Sequence, residues 1–153
     1  MNLPEPIARA CEALFAAAPM SRAMRHLTGS HPSHTQLVER ILQYPAIAER
    51  GDLAAGLWLY VDDLERSHTI SQSLSDSTGS YWHGIMHRRE GDFANSHYWM
   101  RRAARHPLIV NEPSLDPDSL IDAVARSESD DDELVARQRA EWQALFEWCA
   151  NKL

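Results

Sequence analysis

A chain of 153 residues, 44% apolar and 24% charged, is long enough to bury one real core and too apolar to stay disordered. Its net charge of -7 argues against a broad nucleic-acid or anionic-membrane surface, because both need a basic footprint. No apolar run approaches the ~18 residues of a membrane span.

Pro4 and Pro6 open a first helix on which Ile7, Ala10, Cys11, Leu14 and Phe15 recur at helical spacing, and Pro19 ends it. Glu5 and Glu12, with no basic leader, count against a secretory signal. Thr28-Gly29-Ser30 belongs to a loop between Ser21 and Pro32. Ser33 is placed to cap a helix carrying Leu37, Val38, Ile41 and Leu42, with Pro45 at its end. Asp52 is placed to cap the next, LAAGLWLYV; Asp62-Asp63 interrupts the pattern and LERSHTISQSL begins another helix. Ser75 to Gly79, SDSTG, reads as a turn.

Gly79 to Pro107 then reads as helix, Glu-Gly-Asp turn and helix, and concentrates histidine, tryptophan and arginine. LIVNEPSLDPDS reads as a loop with two prolines, followed by a short helix around Leu120 to Ala125. The acidic run SESDDDE fits a solvated helix start favoured by the helix dipole. The last segment is amphipathic, with Leu134, Trp142, Leu145, Phe146 and Cys149 on one face. Cys11 and Cys149 have no metal-ligand spacing and predict two reduced thiols in a cytoplasmic protein. Sustained period-two alternation is absent. The expectation is one all-α domain over residues 1–153, of about seven or eight helices.

A weak repeat lies inside it. Asp63 matches Asp92, Leu64 matches Phe93, Ser67 matches Ser96, His68 matches His97 and Ala55 matches Gly84, always 29 residues on. Each copy is a helix, a short acidic turn and a second helix, the pattern of stacked helical hairpins. GDFANSHYWMRRAARHP also resembles the second half of a tetratricopeptide repeat, with small residues at Ser96 and Ala103 and a large one at Met100. The expected architecture is therefore two tetratricopeptide-like hairpins braced by N- and C-terminal helices.

His83 and His87 are four apart on one helix and share a face, which Glu90 continues. Glu65 and His68 are three apart on the preceding hairpin, the Glu-x-x-His spacing by which helical bundles hold metals. Together Glu65, His68, His83, His87 and Glu90 could furnish a site for zinc, iron, manganese or nickel rather than magnesium or calcium. The competing account makes His83 and His87 core histidines bonded to glutamate or backbone.

Arg88, Arg89, Arg101 and Arg102 form two adjacent pairs whose members lie about 100° apart around a helix, so at most one of each pair is expected inward. That one would clamp a small anion or form an ion pair with Glu90 or Asp92. Tyr81, Trp82, Tyr98 and Trp99 are expected mainly in packing, with one or two walling a cavity. A Ser67–His68 nucleophile pair is not expected, because adjacent residues do not face each other on a helix.

GLWLYVDDLERSHTISQSL followed by TGSYWHGIMHRREGDFANSHYWMRRAARHP resembles a family of small uncharacterised proteins from bacteria and fungi. The family pattern has an acidic residue two positions before Ser-His, a Trp-His-x-Ile-Met-His-Arg-Arg-Glu block and an Asn-x-x-Tyr-Trp helix. The likeness spans Leu57 to Pro107, and EWQALFEWCA near the end is similar too. It implies roles for Glu65, His68, His83, His87, Arg88, Arg89, Glu90 and Asn95, and no particular activity. His97 stands where the family has lysine and Ala103-Ala104 where it has Val-Gly, which speaks against a role for His97.

The expected function is a polar pocket between the hairpins that takes a small anionic ligand or a transition metal. His68, His83 and His87 would be ligands or general acid/base, and Arg88, Arg89, Asn95 and Trp82 would contact the ligand. The alternative is a helical-repeat module that binds proteins and keeps its histidines for structure.

Overall fold

The computed structural model describes residues 1–152 and is all-helical over them. In chain order the helices are α1 (Glu5–Ala17), α2 (Thr35–Ile41), α3 (Gly51–Tyr60), α4 (Leu64–Ser71), α5 (Ser77–Glu90), α6 (Phe93–Arg102), α7 (Pro107–Asn111), α8 (Pro117–Arg126) and α9 (Asp132–Asn151). A 3-10 turn at Pro113–Leu115 precedes α8. No helix among the described residues is long and apolar enough to cross a membrane.

The nine helices exceed the expected seven or eight because prolines and short polar residues start helices here. The loop expected after Pro107 holds α7, whose N-cap is His106 and whose first turn contains Pro107; proline suits that position because its missing N–H has no partner there anyway. SDSTG is similarly a cap rather than a turn: the Asp76 carboxylate accepts from the Gly79 amide at 2.9 Å, and the helix runs from Ser77. Two expected caps move. Ser33 lies outside α2, its amide bonded to the Val61 carbonyl at 3.0 Å, and left-handed His34 takes the N-cap position. Asp52 sits in the first turn of α3, drawn aside by Arg50 and Lys152.

α3 and α4 pack as one hairpin, α5 and α6 as the next, and α4 lies against α5. The two hairpins repeat each other bond for bond. Asp62 and Gly91 hold equivalent left-handed turn positions. Next along the chain, Asp63 and Asp92 cap α4 and α6 by accepting from Arg66 and Asn95 amides. Ser67 Oγ donates to the Ala55 carbonyl at 2.9 Å, and Ser96 Oγ donates to the Gly84 carbonyl at 2.6 Å. Each serine thus ties the second helix of its hairpin to the small residue of the first. At Gly84 the approach is so close that a Cβ would lie 2.9 Å from Met100 Cε. α9 braces α3, α7 and α8, and α8 packs against α6. The main core joins α1, α2, α3, α5 and α9 through Leu14, Val38, Leu57, Trp82 and Phe146.

Every residue of α5 from Thr78 to Arg89 is buried, although the helix carries Ser, Thr, His and Arg. Buried polar groups need partners, and most find them on other helices. Arg88 donates to Glu141 of α9 at 2.6 Å and Tyr81 donates to the same carboxylate at 3.2 Å. Arg89 donates to the Leu59 carbonyl at 2.7 Å and pairs with Asp62 in the α3–α4 turn. Thr78 shares a 3.0 Å hydrogen bond with His106 Nε2, whose Nδ1 accepts from the Leu108 amide.

Two predictions follow from these buried contacts. Removing one member of a buried ion pair strands the other, so Glu141→Ala should cost about 3–5 kcal/mol in chemical denaturation; a loss under ~1 kcal/mol would mean the pair is not structural. Burial, assisted by Lys152 and opposed by Asp76, pushes the His106 imidazole down to about 4. The unfolded chain therefore takes up this proton first as pH falls. The stability His106 contributes is complete above the ordinary histidine pKa of about 6.5 and is lost as pH drops toward 4, at up to about 1.4 kcal/mol per pH unit. His106→Gln should flatten the pH dependence of Tm over that window, and unchanged slopes would refute the assignment.

Candidate metal centre

His68, His83 and His87 meet where α4 lies against α5. Four residues apart, His83 and His87 project one above the other from α5, with ring centroids 4.8 Å apart. His68 reaches across from α4, its ring 4.8 Å from that of His83 and 5.4 Å from that of His87. One ring nitrogen from each of the three lies within 4.8 Å of the other two. His83 is 4% and His87 8% exposed, and His68 is half-buried. Trp99 of α6 stacks on the His83 ring at 3.9 Å, and Arg102 lies over the Trp99 ring at 5.4 Å, so the cluster is covered from the α6 side.

The His87 ring is oriented by a carboxylate: its Nδ1 lies 2.5 Å from Glu90 Oε1. A carboxylate only accepts, so Nδ1 carries a proton and Nε2 is the nitrogen left to face a metal. This is the outer-shell arrangement that orients metal-binding histidines and raises their basicity. His83 differs, because its buried Nδ1 has no hydrogen-bond partner. Burial, then the neighbouring His87 and His68, push its pKa down to about 4. At neutral pH it is therefore an uncharged imidazole, the form that binds metal.

The other predicted residues lie elsewhere. Glu65 is exposed on α4 and joins neither group of three potential ligands. Glu90 belongs to a second group with His87 and Asp92, but both carboxylates have other work: Glu90 holds His87, and Asp92 caps α6 and accepts from Asn95 Nδ2 at 2.8 Å. Asn95 is exposed. Trp82 is buried in the core close against Gly56. Arg88 and Arg89 are both buried and both paired with acids, Glu141 and Asp62. The expectation of one inward arginine fails because α5 has protein on all sides, and the expected partners Glu90 and Asp92 were the wrong acids. Arg101 and Arg102 both stay exposed.

His97 occupies the repeat position of His68 but faces α8, between Asp118 at 2.8 Å and Asp122 at 2.9 Å. Partial burial pulls its pKa down, yet the bonds to the two aspartates outweigh this and hold it above the ordinary value. Cys11 and Cys149 are free and buried, and burial pushes both thiols up to about 12, as for unreactive packing cysteines. Sequence reasoning missed Glu141, Gln138 and Asp62 as the partners that fix α5; the one available hint was that Gln138 and Glu141 fall in helical phase with Leu134, Trp142 and Leu145 on the apolar face of the last segment.

Comparison with protein-family models, with curated proteins and with solved structures finds no match to this chain. The likeness to small bacterial and fungal proteins thus rests on its sequence block alone. In metal-free protein, an NMR titration of the imidazole side chains should show His83 protonating near pH 4 and His97 above its ordinary value of about 6.5. Titration of His83 at that ordinary value would contradict the burial described.

Proposed function

We propose that His68, His83 and His87 bind one transition-metal ion, with zinc, iron, manganese and nickel as candidates, and that the site is catalytic in type. The observation that carries this reading is the convergence of three imidazoles from two hairpins in a nearly buried position. Imidazole ligands favour these metals over magnesium or calcium. Three protein ligands leave at least one position for water or substrate, where a metal can acidify a bound water or polarise an oxygen. The chain's own contributions are distinct: three histidines hold the ion, Glu90 orients His87, and Trp99 limits access of water from α6.

An anion clamp built on Arg88 and Arg89 is less well supported, because both guanidinium groups are already paired in the interior. The protein-binding alternative would present its distinctive residues outward along a tetratricopeptide-like groove. His83 and His87 are instead buried and turned toward His68, which favours an enclosed site.

Protein purified without a histidine tag should contain close to one equivalent of metal, or take it up after chelation. At a hundredfold excess over Kd the ion should stabilise the fold by about 2.7 kcal/mol, roughly 5–10 °C in Tm. Because Trp99 stacks on His83, cobalt or nickel binding should also quench tryptophan fluorescence. The His83→Ala, His87→Ala double variant should lose all three effects, and Glu90→Gln should weaken affinity by about 10–100-fold. Absence of stoichiometric metal together with no thermal shift from any of the four ions would overturn the proposal.

A further inference from the structure

Residues 116–131 form α8 and the segment that leads into α9, and they carry six carboxylates against one base, Arg126. The stretch leans on α6, on α9 and on the loop after α1. Among the described residues, every ion pair it makes is to a histidine: His97 of α6 with Asp118 and Asp122, and His26 of the loop with Asp130. Carboxylates in ion pairs elsewhere take arginine or lysine, Glu90 with His87 excepted.

The geometry at His97 requires a charged ring. Nδ1 lies 2.8 Å from Asp118 Oδ1, and Nε2 lies 2.9 Å from Asp122 Oδ1. Ionised carboxylates only accept and a neutral imidazole has a single N–H, so only the imidazolium satisfies both contacts. Losing one proton would leave a bare nitrogen against a carboxylate oxygen. Asp118 and Asp122 are four apart and share a face of α8, so one ring grips that helix at two points. Arg101, one turn further along α6, and Arg126 make no ion pair among the described residues. His26 faces Asp130 and its loop neighbour His31, whose ring centroid is 4.0 Å away.

The apolar hold on α8 is slight. Leu120 and Val124 join Leu27 and Val135 in a small cluster apart from the main core, with Phe93 and Leu134 packed against it; Ile121 is the α8 residue that reaches the main core. Elements with few buried apolar contacts are the first to open locally.

We propose that residues 116–131 are a pH-gated flap, clasped by histidine at mildly acidic pH and loosened at alkaline pH, where opening uncovers Leu27 and Phe93. Partial burial lowers the His97 pKa, but the bonds to Asp118 and Asp122 outweigh it and leave the value above the ordinary one. The clasp is therefore complete below the ordinary histidine pKa of about 6.5 and is lost as pH rises through the raised value. The carboxylates of the flap, no longer offset by an imidazolium, then repel one another and favour opening.

Hydrogen exchange of the full chain, with a chelator present, tests the flap. Between about pH 6 and about pH 9, protection of the α8 amides, corrected for the intrinsic pH dependence of exchange, should fall about three- to tenfold relative to α3. Added salt should shrink the difference. His97→Gln should show the lower α8 protection at both pH values, and His97→Arg, whose charge is fixed, should keep the higher one at both; unchanged circular dichroism guards against a folding artefact. The His83→Ala, His87→Ala variant should keep the full response, so loss of the metal proposal would leave this one standing. Equal α8 protection at the two pH values, a fall that persists in His97→Gln, or a fall shared equally by α3 would overturn it.

Discussion

The structure depends on the burial of a polar helix. α5 is enclosed on every side, yet its residues are not those of an apolar core helix. Each polar side chain there must be bonded or cost free energy comparable to a lost hydrogen bond, about 1–3 kcal/mol. That requirement dictates what surrounds it. Glu141 of α9 faces Arg88 and Tyr81, the α3–α4 turn presents Asp62 and the Leu59 carbonyl to Arg89, and His106 meets Thr78. Buried ion pairs of this kind add little net stability against an apolar alternative, but they penalise any packing that separates the partners. The arginines therefore set the register of the C-terminal brace and of the first hairpin on α5. Trp82 Nε1 and His83 Nδ1 stand outside this scheme, both without a hydrogen-bond partner, and His83 does so among two other imidazoles.

The repeat explains how the imidazoles come together. Both hairpins use the same devices: a left-handed turn residue, an aspartate cap, and a serine bonded to the carbonyl twelve residues earlier. His68 and His97 hold one register position in two successive layers. The second helix of the first hairpin faces α5, so His68 meets two imidazoles; the second helix of the next faces α8, so His97 meets two aspartates. Identical local geometry thus yields one cluster of potential ligands and one histidine held above its ordinary pKa.

These relations mark what can be read from the chain alone. The all-α class, the hairpin offset and the grouping of His68, His83 and His87 follow from helical periodicity and from the Ser67–Ser96 match, which are local in sequence. Glu65 was misplaced because its i,i+3 relation to His68 fixes a shared face only to within a wide arc, and its side chain falls on the solvent side of that arc. Arg88 and Arg89 were misjudged for another reason. Helical phase predicts one buried face, whereas α5 is buried all round from Thr78 to Arg89, and the partners of these arginines lie 53 and 27 residues away. The cap at Asp76 looked like a turn because aspartate and serine serve both, and Pro107, read as the end of one helix, starts another.

The central claim is that three imidazoles drawn together between α4 and α5 coordinate one metal ion. X-ray absorption on the zinc-loaded protein tests it most directly. The account predicts a first shell of nitrogen and oxygen at about 2.0–2.1 Å, with outer-shell imidazole scattering that requires three histidines in the native chain and falls away in His68→Ala. A shell of oxygens alone, or imidazole scattering that survives loss of His68, His83 and His87, would contradict it.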